Sequence, residues 1–280
     1  MLLFAFSAAG FLLRYSEILP DCVLRSQYQD FRFLLFLFYS FEVGVSSFII
    51  LHQLIKDHLR GIFSPLKWSF FFFACRIFLF CVSGNKNRRN EEVPSTIQEL
   101  AKNIAEENID LFKSKPSVFF GHCFGALVAY EVSLILKKEN CSPVLIVTAS
   151  SESPRKSDME ISLKNSSIEK IADLFIDIEY MPESSRNNKI YLDFFMPVLK
   201  TDYTLVEDYI PDLSEKCECP ILAVYGNEDE KTRADEVRKW ADFTESSFSE
   251  KEYSGGHFFV NENNLKNIIE DISGILNADC

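Results

Sequence analysis

The sequence predicts an α/β fold, a mainly parallel sheet with helices on both faces. Three observations carry this. Short apolar runs of strand length, Ile77–Val82, Val118–Phe120, Pro143–Ala149 and Cys219–Gly226, alternate with segments of helical spacing. Val118–Phe120 runs directly into Gly121-His122-Cys123-Phe124-Gly125 and then into an apolar helix, Ala126–Leu136, so strand, sharp turn and helix follow without a break. At 280 residues the chain is long enough for one large core, and 1–280 is taken as a single domain.

Residues 2–13 are apolar, with small residues at Ser7-Ala8-Ala9, and admit two readings. One is a secretory signal, although no basic residue precedes the apolar stretch. The other is a buried first strand, Leu2–Phe6, then a tight loop and a helix starting near Phe11. The strand is adopted because the elbow further on calls for an early strand-to-helix loop.

Of the 27 phenylalanines, 13 crowd into residues 31–80. Phe31–Ile55 and Trp68–Val82 have the apolarity of membrane helices, but both carry charges and the second is short. Lysines and arginines lie both between and after them, so no positive-inside asymmetry emerges. Phe-rich sequence is also what T-rich non-coding DNA encodes, so 24–75 is read as an atypical insertion foreign to the fold, with a membrane segment and a gene-model artefact as alternatives.

From Arg76 the pattern is regular. Ile77–Val82 is a strand, Ser95-Thr96-Ile97-Gln98 a capping box, and Ile97, Leu100, Ala101 and Ile104 recur at helical spacing. Pro143–Ala149 is the next strand. Residues 150–205 are polar with an apolar helical face at Ile168, Ile171, Ala172, Leu174 and Phe175, which is either core packing or a helical lid. Cys219–Gly226 is a strand, Val237–Phe243 a helix, Ser249–Tyr253 an edge strand and Leu265–Leu276 a closing helix.

The segment 121–125 is a G-x-S-x-G nucleophile elbow with Cys where Ser usually stands. The turn lifts the nucleophile above the sheet. The helix that starts there offers free N–H groups and the positive end of its dipole, which favour a thiolate and later an oxyanion. The alternative is that Cys123 is a small buried hydrophobe. A cysteine nucleophile needs a base and an orienter, in the chain order nucleophile, acid, histidine. Asp229 sits just past a strand's carboxyl end and His257 lies in a glycine-flanked loop. Cys123 would attack, His257 would accept and return the proton, and Asp229 would hold the imidazole tautomer. Glu228 and Asp235 stay open as the acid. His52 and His58 lie in the Phe-rich stretch, and His122 points away from its neighbour at the elbow. The oxyanion hole would use the N–H of Phe124 and one from Ala8 or Ala9.

The net charge of −12 argues against nucleic acid as a partner. The eight cysteines lack framework spacing and read as reduced intracellular thiols. Cys217-Glu218-Cys219 has no second Cys or His pair nearby, so no metal site is expected.

Taken together, these blocks resemble the type II thioesterase family of the α/β-hydrolase fold, which includes the medium-chain S-acyl fatty acid synthase thioesterases. Phe4–Gly10 is similar to the family's F-P-x-A-G-G opening, and Gly84-Asn85-Lys86-Asn87-Arg88 to its G-R-x-x-R. Gly121–Ala126 resembles G-H-S-x-G-A, and Pro197–Asp202 with Tyr209 resembles P-x-L-R-A-D and its trailing tyrosine. Pro220–Asp229 and Gly255–Phe259 match the acid and histidine blocks. The resemblance covers about 1–22 and 76–275 and implies a lid at 150–205. It implies hydrolysis of acyl thioesters carried by phosphopantetheine on an acyl carrier protein or synthase megaenzyme, or by CoA. No cofactor beyond that substrate arm is implied, and a cytoplasmic monomer is expected. The chain departs from the family in its Cys123 and in an opening motif without proline or second glycine. Acyl transfer by the same cysteine, and an inactive or membrane-associated relative, are the alternatives.

Overall fold

A computed structural model describes residues 34–39, 76–81, 94–114, 116–155, 164–177, 192–193 and 196–278. Among the described residues, six strands form one sheet: β1 (Leu34–Tyr39), β2 (Arg76–Cys81), β3 (Ser117–His122), β4 (Leu145–Ala149), β5 (Ile221–Gly226) and β6 (Phe248–Tyr253). Their order is β2-β1-β3-β4-β5-β6 and every neighbouring pair is parallel. The helices are α1 (Ile97–Ser114), α2 (Phe124–Lys138), α3 (Ile168–Asp177), α4 (Met196–Glu207), α5 (Ala234–Arg238) and α6 (Glu262–Ala278), with a 3-10 turn at Lys239–Phe243.

The central strands are buried on both faces, which is why they read as unbroken apolar runs rather than alternating ones. Successive side chains nonetheless point to opposite cores. Phe119, Ile146, Ile221, Ala223 and Tyr225 join the core built with α1 and α2. Val118, Phe120, Leu145, Val147, Leu222 and Val224 join the core under α6, with Leu265 and Ile268. Helices therefore cover both faces, as the alternation of elements predicts.

Several expectations change in detail. The α1 cap is shifted by one residue: Glu99 N–H donates to Thr96 Oγ1 at 3.0 Å, and Glu99 Oε2 accepts from Ser95 N–H at 2.7 Å. The sequence holds two overlapping S/T-x-x-E/Q patterns, and the helix starting at Ile97 selects Thr96 with Glu99. The helix expected over Val237–Phe243 is two short pieces, α5 and the 3-10 turn. The expected first strand, Leu2–Phe6, lies outside the described residues. Leu34–Tyr39, within the stretch read as foreign to the fold, instead provides an interior strand between β2 and β3. Phe38 pairs in register with Gly121, so β1 ends beside the elbow.

The loop after β5 is pinned to the loop after β6. Glu228 N–H donates to Gly255 O at 2.9 Å and Gly255 N–H to Asn227 Oδ1 at 3.1 Å. A Cβ on Gly226 would collide with the carbonyl oxygens of Gly255 and Gly256, both main-chain atoms with no rotamer to escape through. Gly226→Ala is accordingly expected to destabilise the fold by about 1–3 kcal/mol in denaturant unfolding, through forced separation of these loops.

Candidate active site

Cys123 joins β3 to α2 with φ 52° and ψ −121°, a positive φ that non-glycine residues rarely adopt. The turn is held from both sides. Cys123 N–H donates to Ala149 O at 2.8 Å, and Ala126 N–H donates to Cys123 O at 3.0 Å. A Cβ on Gly121 would stand 2.5 Å from Ala126 Cα, so strand and helix meet backbone to backbone there. The result is the expected elbow, with the Cys123 side chain half-buried at the start of α2. Phe124 is the first residue of α2, where N–H groups lack intrahelical acceptors.

Asp229 lies three residues past the end of β5 and is buried. Its Oδ2 is 2.9 Å from His257 Nδ1, and its Oδ1 accepts from Lys231 N–H at 3.1 Å. Burial works to raise its pKa, but the hydrogen bond from His257, the charge of that ring and bonds from Thr232 and Lys231 hold it at about 2. Glu228 and Asp235, the acids left open as alternatives, are exposed. His257 sits in the loop between β6 and α6. Burial works to lower its pKa, yet the hydrogen bond to Asp229 and the interaction with Cys123 lift it to about 10. Cys123, His257 and Asp229 are thus brought together, each at the carboxyl end of a strand or just beyond one. Ala8 and Ala9 lie outside the described residues.

Three further residues pack at the site, none of them given a role there by the sequence. The buried His122 stacks edge-on against His257, with ring centroids 5.0 Å apart, and its Nε2 lies 2.9 Å from His257 O. A carbonyl can only accept, so Nε2 carries the proton. Burial and the neighbouring His257 charge push the His122 pKa down to about 3, so its ring is neutral. Ser150 Oγ–H donates to the same His257 O at 2.8 Å. Phe258, partly exposed, stacks on His122 and meets His257 edge-on. Cys217 and Cys219 are buried free thiols within the core built with α1 and α2. Among the described residues no group of three or more His, Cys, Asp or Glu is placed to hold a metal ion, and no helix is long and apolar enough to cross a membrane.

The His257–Asp229 pair links stability to pH. His257 binds its proton more tightly folded than unfolded, so its contribution is full below its ordinary 6.5 and is lost as pH rises toward about 10. Asp229 is depressed, so its contribution is present above its ordinary 3.8 and is lost as pH falls toward about 2. The Tm difference between the wild-type chain and His257→Gln is expected to be largest between these two ordinary values and to shrink on either side.

Residues 74–276 match the family described as thioesterase domain. The chain is similar to thioesterase PikA5 of Streptomyces venezuelae, 28% identical over 196 residues that span 68% of this chain and 67% of the relative. It is also similar to the medium-chain S-acyl fatty acid synthase thioesterase of Rattus norvegicus, 26% identical over 67% of this chain and 74% of that one. Among solved structures, ClbQ from the colibactin NRPS/PKS pathway shares the fold, with a TM-score of 0.70 at 17% identity over 88% of this chain and 97% of that chain.

Proposed function

This chain belongs to the thioesterase domain family, hydrolases of thioester bonds, and we propose that it releases acyl groups from phosphopantetheine thiols through Cys123, His257 and Asp229. The observation that carries this is the His257–Asp229 contact at 2.9 Å beside a cysteine held in an elbow at the start of α2. Cys123 attacks as thiolate, with its proton on His257. The new S–C bond forms as the C–S bond to pantetheine breaks, and His257 gives its proton to the departing thiol. The neutral ring then takes a proton from water, hydroxide adds to the acyl carbon, and Cys123 leaves as thiolate while the carboxylic acid departs. Asp229 holds Nδ1–H throughout and stabilises the imidazolium. The N–H of Phe124 faces the developing oxyanion, and Ala8 or Ala9 is the proposed source of the second donor.

The substrate carrier is proposed to be an acyl carrier protein or a synthase, because the structural neighbour ClbQ comes from the colibactin NRPS/PKS pathway and the rat relative is an S-acyl fatty acid synthase thioesterase. The pantetheine arm arrives with the substrate, and no other cofactor is proposed. Residues 150–205, which include α3 and most of α4, are the proposed lid over the acyl group. We place the enzyme in the cytoplasm as a monomer, and 24–75 remains an atypical stretch that donates β1. Acyl transfer is the second reading, favoured by Cys123 itself, since moving an acyl group from one thiol to another is nearly isoergic. Thiol release from the same acyl group on a carrier protein and on CoA, with the free acid counted by mass spectrometry, tests both. One acid per thiol, faster from the carrier, is expected. Thiol without acid, until an amine or alcohol is supplied, would replace hydrolysis by transfer.

A further inference from the structure

Ser150, the first residue after β4, has φ 46°, the left-handed region that glycine and asparagine favour. Strain of this kind persists where the surroundings over-determine the conformation. Here two bonds do so. Ser150 N–H donates to Val224 O at 2.9 Å, continuing the ladder to β5, and its Oγ–H donates to His257 O at 2.8 Å. The same carbonyl accepts Nε2–H of His122 at 2.9 Å, so both its lone pairs are engaged by neutral donors from the ends of two neighbouring strands. The residue before Ser150 holds the nucleophile: Ala149 O accepts Cys123 N–H at 2.8 Å. Nucleophile and base are therefore both referenced to the carboxyl end of β4, Cys123 through Ala149 and His257 through Ser150, the next residue.

We propose that Ser150, together with His122, is a positioning residue that sets the His257 imidazole against Cys123 by gripping the His257 main-chain carbonyl. The proposal rests on the Cys123–His257–Asp229 reading. Asp229 grips the ring at Nδ1 alone and leaves the approach of the ring to the sulfur to the backbone of a loop that begins Ser254-Gly255-Gly256. Gly255 has φ 124°, so this loop is built on conformations few residues share, and its hold must come from contacts such as the carbonyl grip. The ring interacts with Asp229, Cys123 and His122, and a shift of its backbone changes all three.

The test compares Ser150→Gly and Ser150→Ala with the wild-type chain in kcat, KM, Tm and the pH dependence of Cys123 alkylation by iodoacetamide. Glycine removes the hydroxyl and relieves the backbone, whereas alanine removes the hydroxyl and keeps the strain. Both are expected to lose kcat by roughly tenfold with KM within about twofold, since misplacing a catalytic group costs rate rather than binding. The alkylation profile is expected to shift in both. Ser150→Gly is expected to melt no lower than Ser150→Ala. A Ser150→Gly enzyme with wild-type kcat and alkylation profile would overturn the proposal, as would a loss of kcat that only tracks loss of folded protein. Cys123→Ala is measured alongside. If it still hydrolyses thioesters, the nucleophile reading fails; if it is inactive while Ser150→Gly is normal, only the positioning role fails.

Discussion

Cys123→Ala is expected to lower thioester hydrolysis by on the order of 10⁴-fold or more, with the fold retained. The side chain is half-buried at the tip of a turn whose shape comes from main-chain bonds, Cys123 N–H to Ala149 O and Ala126 N–H to Cys123 O. Alanine keeps all of these, so the stability change is expected within about 1 kcal/mol. The rate loss then reports chemistry alone. Cys123→Ser is the companion. It restores the residue usual in a G-x-S-x-G elbow and is expected to keep measurable hydrolysis, with an altered pH profile. Interaction with Cys123 is part of what holds the His257 proton, so its replacement by a hydroxyl lets the ring pKa fall. A serine also needs a neutral ring as base, whereas the thiolate form of Cys123 needs a protonated one.

Asp229→Asn is expected to cost about 10³–10⁴-fold in kcat, the size seen when a buried triad acid is neutralised. The carboxylate is buried and 2.9 Å from Nδ1, and it raises the affinity of the ring for its proton while fixing which nitrogen faces the sulfur. Asparagine fills the space without the charge. The same substitution is expected to flatten the loss of Tm on acidification from pH 3.8 toward 2, because no group at that position then titrates. Glu228→Gln and Asp235→Asn, by contrast, alter exposed side chains and are expected to leave kcat unchanged. Steady-state kinetics on the three variants, with melting curves against pH for the first, check these outcomes.

The elbow was legible in the sequence because its flanks are unambiguous: β3 is a short apolar run and α2 a long one, with glycines at 121 and 125. The contact between Asp229 and His257 was legible from chain order, from the place of Asp229 just past the apolar run of β5 and from the glycine-flanked loop that carries His257. β1 was not. Leu34–Tyr39 lies in a stretch so uniformly rich in phenylalanine and leucine that strand, helix and membrane patterns coincide, and periodicity carries no contrast there. Ser150 and His122 were not singled out for a different reason. Their role runs through a main-chain carbonyl 107 and 135 residues away, and neither a serine nor a buried histidine announces such a contact. The one available signal was position: Ser150 follows a buried strand that neighbours the elbow strand. The cap of α1 shows a third cause. Two overlapping capping patterns were present, and only the helix start decides between them.

If the acyl group passes through Cys123, it can be weighed there, by intact mass of the protein after mixing with a short acyl-pantetheine thioester. Wild-type chain is expected to gain one acyl mass, mapped to Cys123, which then decays as free acid appears, while Cys123→Ala gains none. Free acid released by folded Cys123→Ala at the wild-type rate, or no adduct and no acid from the folded wild-type chain, would contradict it.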